Sequence, residues 1–355
     1  MPAFEYSKHL GLISPDQFQA ALNRFSLGRF LHAEPIPFGL FGQNIFLSST
    51  QGQFVLRGRP HFTWQFPTEQ FFAQQLHEKT SVPVPWPYLL DPSEDIFGWS
   101  YVIMPRMPGL QLADQEVMAR LGKEDRRNIA RALAENLALQ QELTWPFAGR
   151  YKSESGDVRP FDLQQELTWP FPTQQGTTAQ SQSISYSQKI VAQIRQSLAN
   201  ARAYNDHTTL ADVEWVEELL ASAGHALDDA FQPCFVMQDY KEQNVVVECL
   251  NATWRVSGVF DFMEAHFGDG EADLSRAVAM YLDESLALAA EFVEAYTGKK
   301  PPRPGFAERF PIYMLHDRLI IWDYFQRIDS LFWDENLTLR DWASPYTSCL
   351  NLLHL

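Results

Sequence analysis

Three oxygen-bearing side chains stand where short strands should end. Asp239, Asn244 and Asp261 fall within one stretch, Cys234 to Arg276, in which Val245–Val247 and Val256–Phe260 are apolar, β-branched runs. With Phe235–Met237 as a third short strand and tight loops between them, Asp239 and Asn244 share one loop and Asp261 leaves the end of the next hairpin. Two carboxylates and a carboxamide are hard oxygen donors, and magnesium takes such donors together with the oxygens of a substrate phosphate. Phosphoryl transfer asks for little more: an aspartate that orients an attacking hydroxyl and accepts its proton, and ligands for the ion that bridges the phosphates. Asp and Asn are common in turns for local reasons, so it is the set of three that carries the expectation.

The residues around these three follow a known pattern. QDYKEQN, then VFDF, then GDGEADLSR resembles the catalytic segment of the aminoglycoside phosphotransferase and choline kinase group, small-molecule kinases with a protein-kinase-like fold. The resemblance implies an α+β, two-lobed fold, with a small N-terminal β-rich lobe and a larger, mainly helical C-terminal lobe. It also implies roles: Asp239 as catalytic base, Lys241 near the transferred phosphate, Asn244 and Asp261 as ligands of Mg2+, and Asp269 and Asp273 as braces of the catalytic loop. The chain departs from the group's His-x-Asp in carrying Met237 at the histidine, and Gln238 precedes the base where the group has Gly or Arg.

The elements that position these residues come from 355 residues, 45% hydrophobic and 14% aromatic, enough for one large core or two modest ones. A formal net charge of -16 argues against a nucleic-acid partner, which needs clustered Lys and Arg. The acid is uneven: Ala211 to Ala295 holds eighteen acidic residues against Lys241, Arg255 and Arg276. Such a surface, where it lines a cleft, concentrates cationic substrates. No stretch reaches the roughly 18 apolar residues of a membrane span, and the opening MPAFEYSKHLGLISPDQ lacks a basic segment followed by an apolar one. A soluble, cytoplasmic protein with no membrane partner is expected. Cys234, Cys249 and Cys349 are odd in number and lack metal-ligand spacing, which reads as reduced thiols. The triplets at Asn251 and Asn336 match the glycosylation pattern but have no secretion signal to give them meaning.

Taken in order, residues 1–34 read as a helical extension with a capping box at Ser14-Pro15-Asp16-Gln17, packed on the body as an ornament. Residues 35–104 read as the β-rich nucleotide-binding lobe, with strands in PIPFGLF, QNIFLSS and QFVLRGR and a turn at Gly42 that could lie over nucleotide phosphates. By the resemblance, the last of these strands carries a basic residue that pairs the phosphates. The period of two puts Arg57 and Arg59 on one face, and VLR favours Arg57. A helix over Pro67–His77 then offers Glu69 as that residue's partner, and Val82–Pro85 is a rigid link. The strand Tyr101–Met104 leads into the expected hinge, where Met104, Pro105, Arg106 and Met107 would flank the base of ATP or GTP.

Residues 105–355 read as the helical catalytic and substrate lobe, with an insertion at about 145–185. Helices are expected over Arg126–Leu143, Tyr186–Tyr204, Asp212–Phe231, Ala272–Tyr296 and Phe306–Phe332. The octapeptide QQELTWPF occurs at Gln140–Phe147 and again at Gln164–Phe171, a local duplication, and the polar run after it reads as a loop. His316, Asp317, Trp322 and Asp323 read as core packing with a solvated polar face rather than an acceptor site. The functional expectation is a Mg2+-dependent kinase acting on the hydroxyl of a small molecule, an aminoglycoside being one cationic example. The alternative is a non-catalytic nucleotide-binding protein of the same fold.

Overall fold

The structure, a computed structural model, describes residues 3–36, 42–168, 182–204 and 206–350. By its contacts the chain forms two compact units. The first comprises Met1–Leu143, Tyr151–Asp157 and Lys241–Ala265, and the second Thr144–Arg150, Val158–Tyr240 and His266–Leu355.

The first unit opens with the hairpin β1 (Phe4–Ser7) and β2 (Gly11–Ile13), followed by α1 (Pro15–Arg24). The capping box is present: Gln17 N–H donates to Ser14 Oγ at 3.3 Å and Ser14 N–H to Gln17 Oε1 at 2.9 Å, satisfying two orphan donors at once. The helical extension expected over 1–34 is thus helical only in α1, and it is no ornament. Phe18, Ala21 and Leu22 are buried against Ile45, Leu47, Leu56, Tyr101 and Ile103, so the segment supplies one wall of this unit's core.

The sheet begins at β3 (Phe30–Pro35), earlier than PIPFGLF implied, and residues 37–41 of that run lie outside the described residues. It continues with β4 (Asn44–Ser49) and β5 (Gly52–Gly58), and after α2 (Gln65–Lys79) with β6 (Leu89–Asp91) and β7 (Tyr101–Pro105). The spatial order is β3-β4-β5-β7-β6, every pair antiparallel, with Arg57 opposite Val102 and Phe54 opposite Pro105. The alternation in β4, with Ile45 and Leu47 buried between half-buried neighbours, is the period of two that fixes its register. Beyond it come β8 (Leu110–Gln111), the short α3 (Gln115–Met118) and α4 (Lys123–Gln140), which buries Ile129, Leu133 and Leu137 on one stripe.

In the second unit the chain runs through the strands β9 (Gly149–Lys152) and β10 (Asp157–Pro160), the tip between them belonging to the first unit, then α5 (Leu163–Thr168), α6 (Tyr186–Tyr204), α7 (Leu210–Ala223) and β11 (Cys234–Val236). The two copies of QQELTWPF fold differently. Gln140 closes α4 and is buried, whereas Gln164 and Gln165 are exposed on α5 and Glu166 is buried against Arg150. The second copy's end and most of the expected loop, 169–181, lie outside the described residues.

The chain then returns to the first unit for β12 (Val245–Leu250) and β13 (Thr253–Val259), a hairpin with Val245 opposite Val259, before β14 (His266–Gly268), α8 (Leu274–Glu284), α9 (Leu286–Lys299), α10 (Phe306–Arg327) and α11 (Leu339–Thr347) complete the second. The three runs read from the sequence as neighbouring strands therefore belong to two sheets. β11 pairs with β14, whose own signal was hidden in HFG, while β12 pairs with β13 and β8. The helix expected over Ala272–Tyr296 breaks at Ser285, which is extended (φ -168°, ψ 129°). Its carbonyl accepts from Leu288 and Ala289, so α9 starts anew there. Among the described residues no helix is long and apolar enough to cross a membrane, and all three cysteines are unbridged.

In the second unit α6 and α10 share a core with Trp215, Trp322 and Trp342. Inside it His316 shares a hydrogen bond of 2.9 Å with Gln193 Oε1. Burial, assisted by the charge of Lys189, pushes its imidazole down to about 3. An unfolded histidine titrates near 6.5, so between these values the unfolded chain binds one proton more and stability falls as pH falls. The contribution is complete above about pH 6.5 and is lost at up to about 1.4 kcal/mol per pH unit on acidification. The difference between wild type and His316→Gln in unfolding free energy from urea titrations, measured from pH 7 to 4, should narrow by that slope. An unchanged difference would mean that the imidazole protonates freely in the fold.

Candidate functional site

Arg57 is the central cation of the first unit. Its place on β5, opposite Val102 in the middle of the sheet, buries the side chain to 5% exposure. A buried guanidinium must be paired, and Nη2 lies 3.3 Å from Glu69 Oε1 and 2.9 Å from Asp261 Oδ1. Burial alone would lower its pKa, but the carboxylates of Asp261 and Glu69 more than offset this and the net shift is upward. Glu69 projects from the buried face of α2, held by the Tyr88 hydroxyl at 2.6 Å and by Gln65 Nε2 at 3.2 Å. Gln65 also donates to Gln43 Oε1 at 3.2 Å. Desolvation raises the Glu69 carboxyl, with Arg57 opposing, and raises the Tyr88 hydroxyl well above its usual value. Among the described residues Arg57 Nε is a buried donor with no hydrogen-bond partner. Arg59, the other basic residue on the strand's face, is exposed and turns away in the left-handed region (φ 52°) to bond the His9 carbonyl at 2.5 Å.

Asn244 and Asp261 are brought side by side by the β12–β13 hairpin. Val245 pairs with Val259, and Phe260 N–H donates to the Asn244 carbonyl at 3.1 Å, so the residues just outside the ladder adjoin. Asp261 has φ 74°, an uncommon conformation for a residue other than Gly and one that clusters at sites of function. The turn Glu242–Asn244 is tied down by Glu242, which accepts from Arg126 of α4 at 2.7 and 3.1 Å in a buried fork. Lys241 precedes that turn, and its carbonyl accepts from Asn244 N–H at 2.9 Å. One carboxylate and one carboxamide oxygen suit a hard divalent ion that completes its shell with phosphate and water. Among the described residues no group of three or more His, Cys, Asp or Glu could hold a metal without such help.

Met104 and Pro105 end β7 of the same sheet, and Arg106 and Met107 follow it. Arg106 N–H donates to Gln53 O at 3.0 Å, which turns that residue's backbone toward β5. Because backbone groups alternate sides along a strand, the carbonyl of Pro105 faces the other way, beyond the end of β6, whose last pair is Leu89 with Ile103. Met104 is buried, Pro105 and Met107 half-buried and Arg106 exposed, its guanidinium 3.7 Å over the Phe46 ring. Met107 approaches β13 so closely that a Cβ on Gly258 would lie 2.6 Å from its own. Gly42 takes a left-handed φ of 60° just before β4, and its carbonyl accepts from Ser7 Oγ at 2.5 Å.

In the second unit, β11 ends at Val236 and delivers Met237, Gln238 and Asp239. The backbone N–H groups of Met237 and Gln238 donate to the two oxygens of Asp273 at 2.6 and 2.7 Å. Gln238, like Asp261, is left-handed (φ 67°). Asp239 is 26% exposed at its side chain. Asp269 accepts from the Tyr313 hydroxyl at 2.7 Å and from Glu271 N–H at 3.1 Å and pairs with Arg303, so Asp273 holds the backbone before Asp239 while Asp269 holds its own turn.

Sequence reasoning did not find Gln43, Gln65, Tyr88, Arg126 or Glu242. A signal existed for one pair only: Gln65 and Glu69 stand four apart on a face of α2 that also carries Phe72 and Leu76, where polar residues need each other. Trp322 is buried in the helix packing as expected, but His316 and Asp317, expected on a solvated polar face, are buried as well.

A family model described as the phosphotransferase enzyme family (APH) matches residues 32–308. No curated protein matches the chain. Among solved structures, a thermostable variant of the aminoglycoside phosphotransferase APH(4)-Ia in ternary complex with ADP and hygromycin B superposes with a TM-score of 0.60 at 16% identity, over 94% of this chain and 97% of that one. A protein described as a fructosamine-3-kinase, from Haemophilus somnus 129PT, gives 0.57 at 16% identity, over 94% and 95%. A variant of aminoglycoside 2′-phosphotransferase-IIIa in complex with GDP gives 0.54 at 14% identity, over 94% and 93%. Likeness at such identity speaks to the fold, a β-rich N-terminal region followed by a helical C-terminal part.

Proposed function

The chain belongs to the phosphotransferase enzyme family, and from that premise we propose that it moves the γ-phosphate of ATP or GTP to a hydroxyl of a small molecule, with Mg2+ as the metal. The observation that carries this reading is the buried Arg57, whose Nε–H is unused while Nη2 is fixed by Glu69 and Asp261. A guanidinium fixed by two carboxylates and keeping one donor unused suits recognition of a phosphate oxygen. Asn244 and Asp261 would hold the magnesium, which when bound would neutralise charge on the phosphates. The backbone of Pro105 and Met107 would meet the nucleotide base, and Gly42 would lie in the loop over the phosphates. Asp239 would orient the acceptor hydroxyl and take its proton, with Lys241 near the group in transfer. Catalysis in this reading is positioning and electrostatics. The acidic composition of 211–295 favours a cationic acceptor of the aminoglycoside kind, and the cytoplasm, where the nucleotide is plentiful, is the compartment proposed.

One observation favours a second reading, a nucleotide-binding protein without turnover: Arg57 Nη2 lies on Asp261 Oδ1 at 2.9 Å, where it competes with a metal for that carboxylate. Calorimetric titration with ATP and GTP, with magnesium and with EDTA, followed by turnover with aminoglycosides, choline-like amines, macrolides and sugars, separates the two. Wild type should bind nucleotide more tightly with magnesium and turn over at least one acceptor. Asp261→Ala should bind equally with and without the metal. Magnesium-dependent binding with no turnover on any acceptor favours the second reading, and no nucleotide binding at all defeats both.

A further inference from the structure

The environment of Asp239 contains a cation that the sequence pattern does not assign. Arg276, in the first turn of α8, places Nε 3.6 Å from Asp239 Oδ1 and 2.8 Å from Asp317 Oδ1. Its side chain is only 13% exposed, and Asp317, from α10, is 5% exposed and also paired with Arg318 at 2.5 Å. One nitrogen, Nε, thus lies within ion-pair distance of both a buried acid and a partly exposed one, without a hydrogen bond to either. Three residues earlier, Asp273 takes the N–H groups of Met237 and Gln238. Positions three apart lie on one helical face, so a single turn at the start of α8 grips both the backbone that carries Asp239 and the carboxylate itself.

We propose that Arg276 is a positioning residue for phosphate transfer: anchored by Asp317, it fixes the orientation of the Asp239 carboxylate toward the acceptor hydroxyl. The inference rests on the reading of Asp239 as the base. Three carboxylates, those of Asp239, Asp273 and Asp317, surround this one guanidinium, and all three hold its charge in place against burial. Burial pushes the Asp273 carboxyl up to about 7, while its two N–H donors and then Arg276 oppose that rise, so Arg276 also favours the ionised form that grips the loop. Exchange for Lys would keep a charge but lose the planar guanidinium whose Nε lies between the two acids.

The test compares Arg276→Ala, Arg276→Lys, Asp317→Asn and Asp239→Asn, using the acceptor that wild type turns over fastest. A base displaced by about an ångström costs on the order of 10²-fold. Arg276→Ala should therefore lose roughly that factor in kcat, Arg276→Lys and Asp317→Asn about tenfold, and the nucleotide KM should move less than about twofold in all three. Added guanidinium ion should restore part of the Arg276→Ala rate and none of the Asp239→Asn rate. Should Arg276→Ala fail to fold, as removal of a buried cation can cause, Arg276→Lys and Asp317→Asn carry the same split. If kcat stays within about twofold of wild type in these variants while Asp239→Asn is inactive, the role of Arg276 is refuted and the base stands. If Asp239→Asn keeps its rate, the base assignment itself is wrong and this inference goes with it. A rise in nucleotide KM with kcat unchanged would also overturn it.

Discussion

Asp239→Asn should lower kcat by roughly 10²- to 10⁴-fold, the range for removal of a general base, with nucleotide affinity unchanged. The substitution keeps the volume and one oxygen but removes the negative charge and with it the ability to take a proton. It strands no cation, because Arg276 retains Asp317 at 2.8 Å, so a folded protein is expected and any loss of rate belongs to the chemistry. Arg57, Asn244 and Asp261 belong to the other unit of the chain and are not altered. Some rate should remain, since phosphoryl transfer gains much from positioning and charge neutralisation that do not involve the base. The measurement is kcat with a fixed acceptor beside the calorimetric Kd for nucleotide. A wild-type kcat in the variant would remove Asp239 from the mechanism; an equal loss in nucleotide affinity would make it a structural residue.

The segment from Cys234 to Arg276 was the most legible part of the chain because its chemistry is local. Strand ends and turn residues can be counted along the sequence, and Asp261 follows the β12–β13 hairpin as that count implied, while Asp273 was marked by the family resemblance and holds the backbone before Asp239. Arg57 was legible as the strand residue to prefer, but its burial was not. The alternation of β5 assigns Arg57 and Arg59 to one face, and only the end of the strand at Gly58, with Arg59 turning left-handed, separates them. The partners of these residues were illegible for a different reason. Arg126 meets Glu242 across more than a hundred residues, and Arg276 meets Asp317 across some forty, and no periodicity encodes which charged positions of two helices will face each other. The N-terminal strands β1 and β2 were missed because FEYS and GLI are too short to show alternation. The break at Ser285 was missed because LDESLALAA continues a helical stripe on both sides of it.

The second large effect expected is on stability, from Arg309→Met. Arg309 lies on α10 with its side chain fully buried, and donates to Glu271 Oε2 through Nε at 3.0 Å and Nη2 at 2.8 Å. Its remaining nitrogen, Nη1, bonds Asp229 at 2.7 Å and the Pro304 carbonyl at 2.8 Å. Methionine fills much of the volume but leaves Glu271, only 7% exposed, with Arg303 as its remaining cation. Breaking one side of a buried pair costs about 3–5 kcal/mol, because the charge left behind is no longer compensated. The exposed pair of Arg195 with Glu217, at 2.7 Å, is the internal control. Arg195→Gln should cost no more than about 1 kcal/mol, since water and salt screen it. Urea unfolding of both variants reads the contrast directly. A functional consequence follows from the chain between them: Glu271 lies in the turn Gly270–Asp273, whose last residue grips Met237 and Gln238. Loosening Glu271 should therefore reduce kcat under conditions where the variant is still folded. If Arg309→Met were no more costly than Arg195→Gln, the turn would be held by Tyr313 and Arg303 through Asp269, and α10 would not be its anchor through Arg309.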